Sequence, residues 1–157
     1  MAARSKAQGG QRCHCTALRK ASRRVSQLYD TALAPCGLKA TQRAILTQIA
    51  RSEPAAIGLL AEALVMDSGG LAHTLKPLIR DGLVAMKINP ADRRNRLVSL
   101  TAAGRAAVKQ SDRLWEEAQR AFERSFGATR SKALREAIDL LISDQFPDDF
   151  KAAVTAD

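Results

Sequence analysis

The sequence predicts a mainly helical chain carrying one small β-hairpin, and three observations predict it. Apolar residues recur at three- and four-residue spacing through most of the chain, the period of helices that bury one face. Between Val84 and Leu100 the period falls to two on either side of a basic turn, as it does in paired strands. Alanine and leucine are abundant while aromatic residues make up only 4%, which suits packed helices better than a sandwich or barrel.

Residues 1–11 are polar, contain Gly9-Gly10 and show no apolar period, so a disordered basic arm is expected there. Every charged residue from Arg4 to Arg24 is basic. Such an arm could graze phosphates, and a solvated tail is the commoner outcome. Leu18, Ala21, Val25, Leu28, Tyr29, Ala32 and Leu33 then mark a long amphipathic helix that Pro35 ends. Leu38, Ile45, Leu46 and Ile49 give a second helix up to Arg51, closed by Pro54.

Ile57 to Leu64 forms a third helical pattern, with Leu60, Ala61 and Leu64 on one face and Ala61 small enough for another helix to cross. Val65, Met66 and Asp67 break it. Asp67 or Ser68 is the expected N-cap of a fourth helix, because either side chain can accept from the amides of the next turn. Leu71, Leu75, Leu78 and Ile79 of that helix face inward; Ser68, Gly70, His73, Thr74 and Lys76 face mostly outward. Pro77 removes a backbone donor and should kink its second half. Gly82 stops it.

Val84, Met86 and Ile88 alternate with Ala85, Lys87 and Asn89 as a half-buried strand. Pro90, Ala91 and Asp92 turn the chain, Arg93, Arg94 and Arg96 crowd the loop, and Val98 and Leu100 return. Thr101 is the expected cap of a long helix through Val108, Leu114, Trp115, Ala118 and Phe122 to Phe126, ended by Gly127. Ser131 is expected to cap a last helix, with Leu134, Ala137, Ile138 and Leu141 on one side. Phe146, Pro147 and Phe150 close the ordered part, which leaves 151–157 as a tail.

Helix, turn, helix and basic hairpin together describe a winged helix-turn-helix over 38–101, whose second helix enters a DNA major groove. Gly82-Leu83-Val84, Asn89-Pro90-Ala91-Asp92-Arg93-Arg94 and Val98-Ser99-Leu100-Thr101-Ala102-Ala103-Gly104 resemble the signature of MarR-type bacterial transcription regulators. Three matched pieces fall at that family's spacing, and the resemblance covers about residues 13–146. Asn89 stands where many members have an acidic residue. Gly69 and Gly70 stand where many place base-reading side chains. Asp67-Ser68-Gly69 is similar to the branch that senses organic hydroperoxides.

The resemblance implies a DNA-binding regulator, a repressor more often than an activator, that occupies a partly palindromic operator as a homodimer. It implies one domain over 12–150, with the helices at 13–34 and 102–146 interlocking with a second copy. Their apolar surface, too large for a lone winged lobe to cover, agrees. The formal charge of +9 points independently to a polyanionic partner. No stretch has the eighteen or more apolar residues that span a bilayer, and no apolar core of a secretion signal follows Arg4 and Lys6. A cytoplasmic protein that does not bind membranes is expected, its three cysteines starting as thiols.

Ser68, Gly69 and Gly70 at the start of the fourth helix suit a phosphate, since amides there lack helical partners. His73, Thr74 and Lys76 lie where they can approach base edges or backbone. Otherwise His73 is a passive surface histidine. In the wing the resemblance pairs Asp92 with Arg94, the carboxylate steadying a hairpin whose arginine reaches a minor groove, where negative potential is concentrated, or its phosphates. An exposed ion pair of little consequence is the bland alternative. Arg93 and Arg96 suit phosphates.

Cys13-His14-Cys15 is no metal clip, because neighbours on a helix do not share a face and no second ligand pair follows. Neither a metal nor another cofactor is expected. Cys15 and Tyr29 match, in position and in their separation of fourteen residues, the reactive cysteine and one tyrosine of the hydroperoxide-sensing branch. Arg19 and Ala40 stand where that branch has further tyrosines. Independently, a thiol in the first turn of a helix near Arg12 and Arg19 sits where a thiolate is favoured, and thiolates are what peroxides oxidise.

Cys36 is either a resolving thiol or a small loop residue, and Cys13 and Cys15 are either redox groups or packing residues. Two inducing signals stay open: oxidation of Cys15, by an organic hydroperoxide for example, or a small aromatic or acyl ligand between the dimerisation helices and the winged lobe. The competing class is a small thiol-dependent peroxidase that turns over at Cys15. Arg93, Arg94 and the hairpin argue against an enzyme, which has no need of them.

Overall fold

The computed structural model describes residues 13–156; the expected basic arm and Arg12 lie outside the described residues. Seven helices and three short strands follow in the order α1 (His14–Leu33), α2 (Ala40–Ser52), β1 (Ala55–Ala56), α3 (Ile57–Ala63), α4 (Ser68–Arg80), β2 (Val84–Ile88), β3 (Arg96–Leu100), α5 (Ala102–Phe126), α6 (Ala128–Leu141) and α7 (Phe146–Thr155). A 3₁₀ turn over Ala34–Cys36 separates α1 from α2. Asp30 of α1 caps the next helix, its carboxylate accepting from the Ala40 amide at 2.7 Å.

The core lies under the middle of the chain. Ile45, Leu46 and Ile49 of α2, Leu60 of α3, Leu71, Leu75 and Leu78 of α4, and Val84, Val98 and Leu100 of the sheet form one buried cluster. These are the positions that the helical and strand periods mark as inward. The antiparallel sheet has the order β1-β3-β2, with Val84 opposite Leu100 and Ala55 opposite Val98. At two residues, β1 is too short to leave any period in the sequence.

Five expectations need correction. The chain stays helical through Thr155, so 151–155 continue α7 rather than forming a tail. Pro147 reads as a terminator, but it occupies the first turn, where a missing N–H costs nothing. Asp148 and Asp149 in the same turn complement the helix dipole. Ser131 is not a cap, because Gly127, at φ +92°, ends α5 and leads directly into α6. On β2 only Val84 is buried: Met86 and Ile88 are 45% and 52% exposed, because the hairpin runs past the edge of the core. Ile57 to Leu64 ends as α3 one residue early, with Leu64 as its C-cap.

The long helices are covered on one side only. Leu18 and Leu28 on α1, Leu140 on α6, Ile142 after it, and Phe150 and Val154 on α7 are exposed. Among the described residues no helix is long and apolar enough to cross a membrane.

Candidate nucleic-acid interface

Helix α4 is anchored by Leu71, Leu75 and Leu78, which leaves Ser68, Gly69, His73 and Lys76 exposed along its outer side. Thr74 is half-buried and donates its hydroxyl to the Gly70 carbonyl at 3.0 Å. Asp67 is the N-cap: its carboxylate accepts from the Gly70 amide at 2.7 Å. A Cβ on Gly70 would stand 2.9 Å from that carboxylate, so glycine is what lets the cap sit so close. The phosphate seat expected at Ser68, Gly69 and Gly70 is therefore already partly filled by an anion of the chain itself. His73 and Lys76 also face an open cleft shared with Lys39 and Thr41 at the start of α2.

The wing tip is built around Asp92. Its carboxylate accepts from the Arg94 backbone amide at 3.0 Å and from the Asn95 carboxamide at 2.8 Å, while the Asn95 amide donates to the Asp92 carbonyl. The aspartate thus shapes the turn through the Arg94 backbone instead of pairing with its guanidinium. Asn89 serves the same purpose, its side-chain oxygen accepting from the Ala91 amide at 3.0 Å. An amide oxygen fills that role as well as a carboxylate does. Arg93, Arg94 and Arg96 are all exposed, and among the described residues none is in an ion pair.

Three links fix this lobe to the long helices, and of these the sequence marks only the Thr101 cap. Arg43 on α2, only 9% exposed, donates Nε to Ser111 Oγ at 2.9 Å and Nη2 to Asp112 at 2.8 Å, and lies 4.5 Å over the Trp115 ring. Its place on the apolar period of α2, three residues before Leu46, is the signal that marks it as buried. Glu53 accepts from the Leu100 amide at 2.8 Å and pairs with Arg105 of α5. The bond from Arg105 holds the Glu53 carboxyl below its ordinary pKa. Thr101, the cap of α5, donates its hydroxyl to the Gly82 carbonyl at 2.6 Å and accepts from the Gly104 amide at 3.0 Å.

The thiols sit elsewhere. Cys13 is the N-cap residue of α1 and Cys15 lies in its first turn, both exposed. Hydrogen bonds from Thr16, the side-chain one foremost, lower the Cys13 pKa. Tyr29 is buried: its hydroxyl donates to Gln119 at 2.6 Å, and its ring lies 4.8 Å from that of Trp115. Burial raises its pKa, offset in part by Arg135. Fourteen helical residues separate Cys15 from Tyr29, roughly 21 Å of rise, so one chain does not bring the two together. Cys36, half-buried beyond the far end of α1, donates its thiol to the Leu33 carbonyl at 3.0 Å. No cluster of three metal-ligating side chains occurs among the described residues.

Residues 38–104 match the family described as a winged helix DNA-binding domain. No curated protein matches the chain. Among solved structures, the M. tuberculosis transcriptional regulator MosR, determined in complex with DNA, is 35% identical; the match covers 81% of this chain and 96% of MosR, with a TM-score of 0.69. A cysteine-to-serine variant of MarR from E. coli, complexed with operator DNA, shares the fold at 24% identity and a TM-score of 0.73, covering 80% of this chain and 91% of that one. CouR from Rhodococcus jostii RHA1, bound to p-coumaroyl-CoA, shares it at 18% identity and a TM-score of 0.71, covering 88% and 98%. These are transcription regulators rather than enzymes. With a hairpin of exposed arginines beside a helix-turn-helix, the chain is a DNA-binding transcription regulator and belongs to the MarR family of winged-helix proteins.

Proposed function

We propose that two copies pair through their terminal helices and present two α4 helices and two wings to successive turns of a partly palindromic operator, acting as a repressor in the cytoplasm. The observation that carries this reading is the Asp92-braced tip holding Arg93, Arg94 and Arg96 exposed and without ion pairs among the described residues. In this reading Arg94 enters a minor groove, Arg93 and Arg96 meet phosphates, and His73, Thr74 and Lys76 face the major groove with Ser68, Gly69 and Gly70 at its floor. Pairing is supported by the exposed apolar side chains of α1, α6 and α7, because a surface of that kind marks an interface. Binding of operator DNA by the parent protein and by Arg94→Ala tests it: the variant should bind about tenfold more weakly.

For release, we infer oxidation at Cys15, supported by its exposure and by a neighbouring thiol of lowered pKa at the open start of α1. The Cys15 thiolate attacks the distal peroxide oxygen, the O–O bond breaks, and an alcohol leaves as Cys15 becomes a sulfenic acid. Attack by the Cys13 thiolate on that sulfur expels water and closes a disulfide. One hydroperoxide is reduced by two electrons and two thiols are oxidised. Cys36 is the poorer partner, since its thiol is engaged with Leu33 beyond the other end of α1. Cys13, extended at the N-cap, and Cys15 in the first turn are two residues apart, so their Cα atoms stand roughly 5.5–7 Å apart, near the upper end of disulfide range, and closing the bond must distort the turn. That distortion shifts the seat of α1 and so the spacing of the two α4 helices.

A second reading has its own support. Leu28, Tyr29, Ala32, Phe122 and Phe126 line an apolar pocket of about 410 Å³ between α1 and α5, and CouR was determined with an aromatic acyl thioester bound. A small aromatic or acyl inducer there would also reset the long helices. Peroxide and a Cys15→Ser variant separate the two signals.

A further inference from the structure

Two helices of the DNA-binding lobe end in the same hydrogen-bonded motif, and they fill it differently. At the end of α4, Gly82 donates to the Ile79 carbonyl at 3.0 Å and Leu83 to the Leu78 carbonyl at 2.9 Å, with Gly82 in the left-handed region at φ +71°. At the end of α3, Val65 donates to the Glu62 carbonyl at 3.0 Å and Met66 to the Ala61 carbonyl at 2.9 Å, with Val65 at φ +51°. Glycine is the usual solution at this position because it has no Cβ to crowd the backbone. A β-branched residue there is an outlier. Val65 gains nothing from burial in return, since its side chain is 73% exposed, the most exposed large apolar group among the described residues.

Its position suggests what offsets the strain. Val65 lies in the turn between the two helices of the helix-turn-helix, two residues before the cap of α4, and it is the start of such a helix that approaches base edges. The first turn of α4 exposes only Ser68 and Gly69, too short to hold the helix start away from the groove, and the first long exposed side chain is His73 in the second turn. We propose that Val65 is a specificity residue, whose isopropyl group packs on the 5-methyl of a thymine at one position in each half-site. The proposal rests on the chain's membership of a DNA-binding family. A thymine methyl is the one apolar group on the major-groove edge of a base pair, so a strained, exposed valine has a single matching feature to read.

The test begins with DNA selected by the full-length protein from a random duplex pool. Each thymine of the selected site is then replaced, in both half-sites together, by deoxyuridine, which lacks only the methyl. One methyl is worth about 0.8 kcal/mol, or about fourfold, so the parent should lose about fifteenfold at one symmetric pair of positions. Val65→Gly should lose about as much on the thymine site, show no further loss on the deoxyuridine site, and unfold at no lower temperature than the parent. Val65→Asn, which also tolerates positive φ, should behave likewise. Parent-like affinity in both variants, or a parent indifferent to every replacement, overturns the proposal. Failure to enrich any DNA would instead overturn the DNA-binding reading on which it rests.

Discussion

Gly104 of α5 lies so close to the backbone of Leu83 that a Cβ on it would stand 2.1 Å from the Leu83 carbonyl oxygen. The same carbonyl accepts from the Thr101 amide at 3.1 Å. This seam joins the start of β2 to the start of α5, and it ties the glycine at the end of the Val98–Gly104 stretch to Gly82-Leu83-Val84. Gly104→Ala should therefore destabilise the protein by about 1–3 kcal/mol through overpacking, read from chemical denaturation. The nearest atom is backbone, which cannot swing aside. A parent-like unfolding midpoint would show that the seam is looser than this contact implies.

Arg43 predicts a second, graded effect. It is buried, stacked on Trp115 and bonded to Ser111, so Arg43→Ala should cost about 2–4 kcal/mol through lost packing and lost hydrogen bonds. Asp112, its ion partner, is half exposed, and Asp112→Asn should cost less than about 1 kcal/mol because water screens and replaces the charge. Equal losses from the two variants would mean that the ion pair rather than the packed guanidinium joins α2 to α5.

The Glu53–Arg105 pair gives a pH dependence with a definite sign. The Glu53 pKa is lowered in the folded protein, chiefly by the bond from Arg105, so its contribution is present above the ordinary carboxylate pKa. It disappears as the pH falls through the lower folded-state value. Glu53→Gln should thus lose stability at neutral pH and converge on the parent in acid. Denaturation midpoints measured across that range should run together at the acid end; parallel curves would remove Glu53 from the account.

For the wing, Asp92→Ala and Arg94→Ala should both weaken operator binding, but differently. Arg94→Ala removes a charge, so it should lower affinity about tenfold and reduce the salt dependence of binding by about one counterion per lost phosphate contact. Asp92→Ala removes the acceptor that holds the turn, so it should weaken binding even though the protein becomes more basic. Asn89→Asp should change little, because either side chain can accept from the Ala91 amide.

Much of the winged lobe was legible in the sequence. Leu60, Leu71, Leu75, Leu78 and Val98 recur at periods that only a buried helix or strand face explains, and Asp67 and Thr101 cap the helices they were expected to cap. What was not legible depends on contacts distant in the chain. Arg43 stands on the apolar period of α2, but its partners Ser111 and Trp115 lie about seventy residues away, beyond the reach of any local pattern. Met86 and Ile88 follow the strand period faithfully and are still exposed, because period shows which side a residue faces and not how far the core extends. Pro147 shows the opposite failure, since one residue type both ends helices and begins them. In the thiol region, the helix places Cys15 and Tyr29 toward its opposite ends, so the common site that the resemblance implies needs a second copy of the chain, as the sequence reading expects.

Release of the DNA-bound regulator by oxidation at the start of α1, as proposed, is decided by one titration. Fluorescence anisotropy of labelled operator DNA is followed with the full-length protein and with Cys15→Ser, each before and after an organic hydroperoxide. Both reduced proteins should bind tightly, peroxide should release the parent, a thiol reductant should restore its binding, and Cys15→Ser should not respond. Equal release of both proteins, or a parent that stays bound after oxidation, would contradict release by oxidation at Cys15.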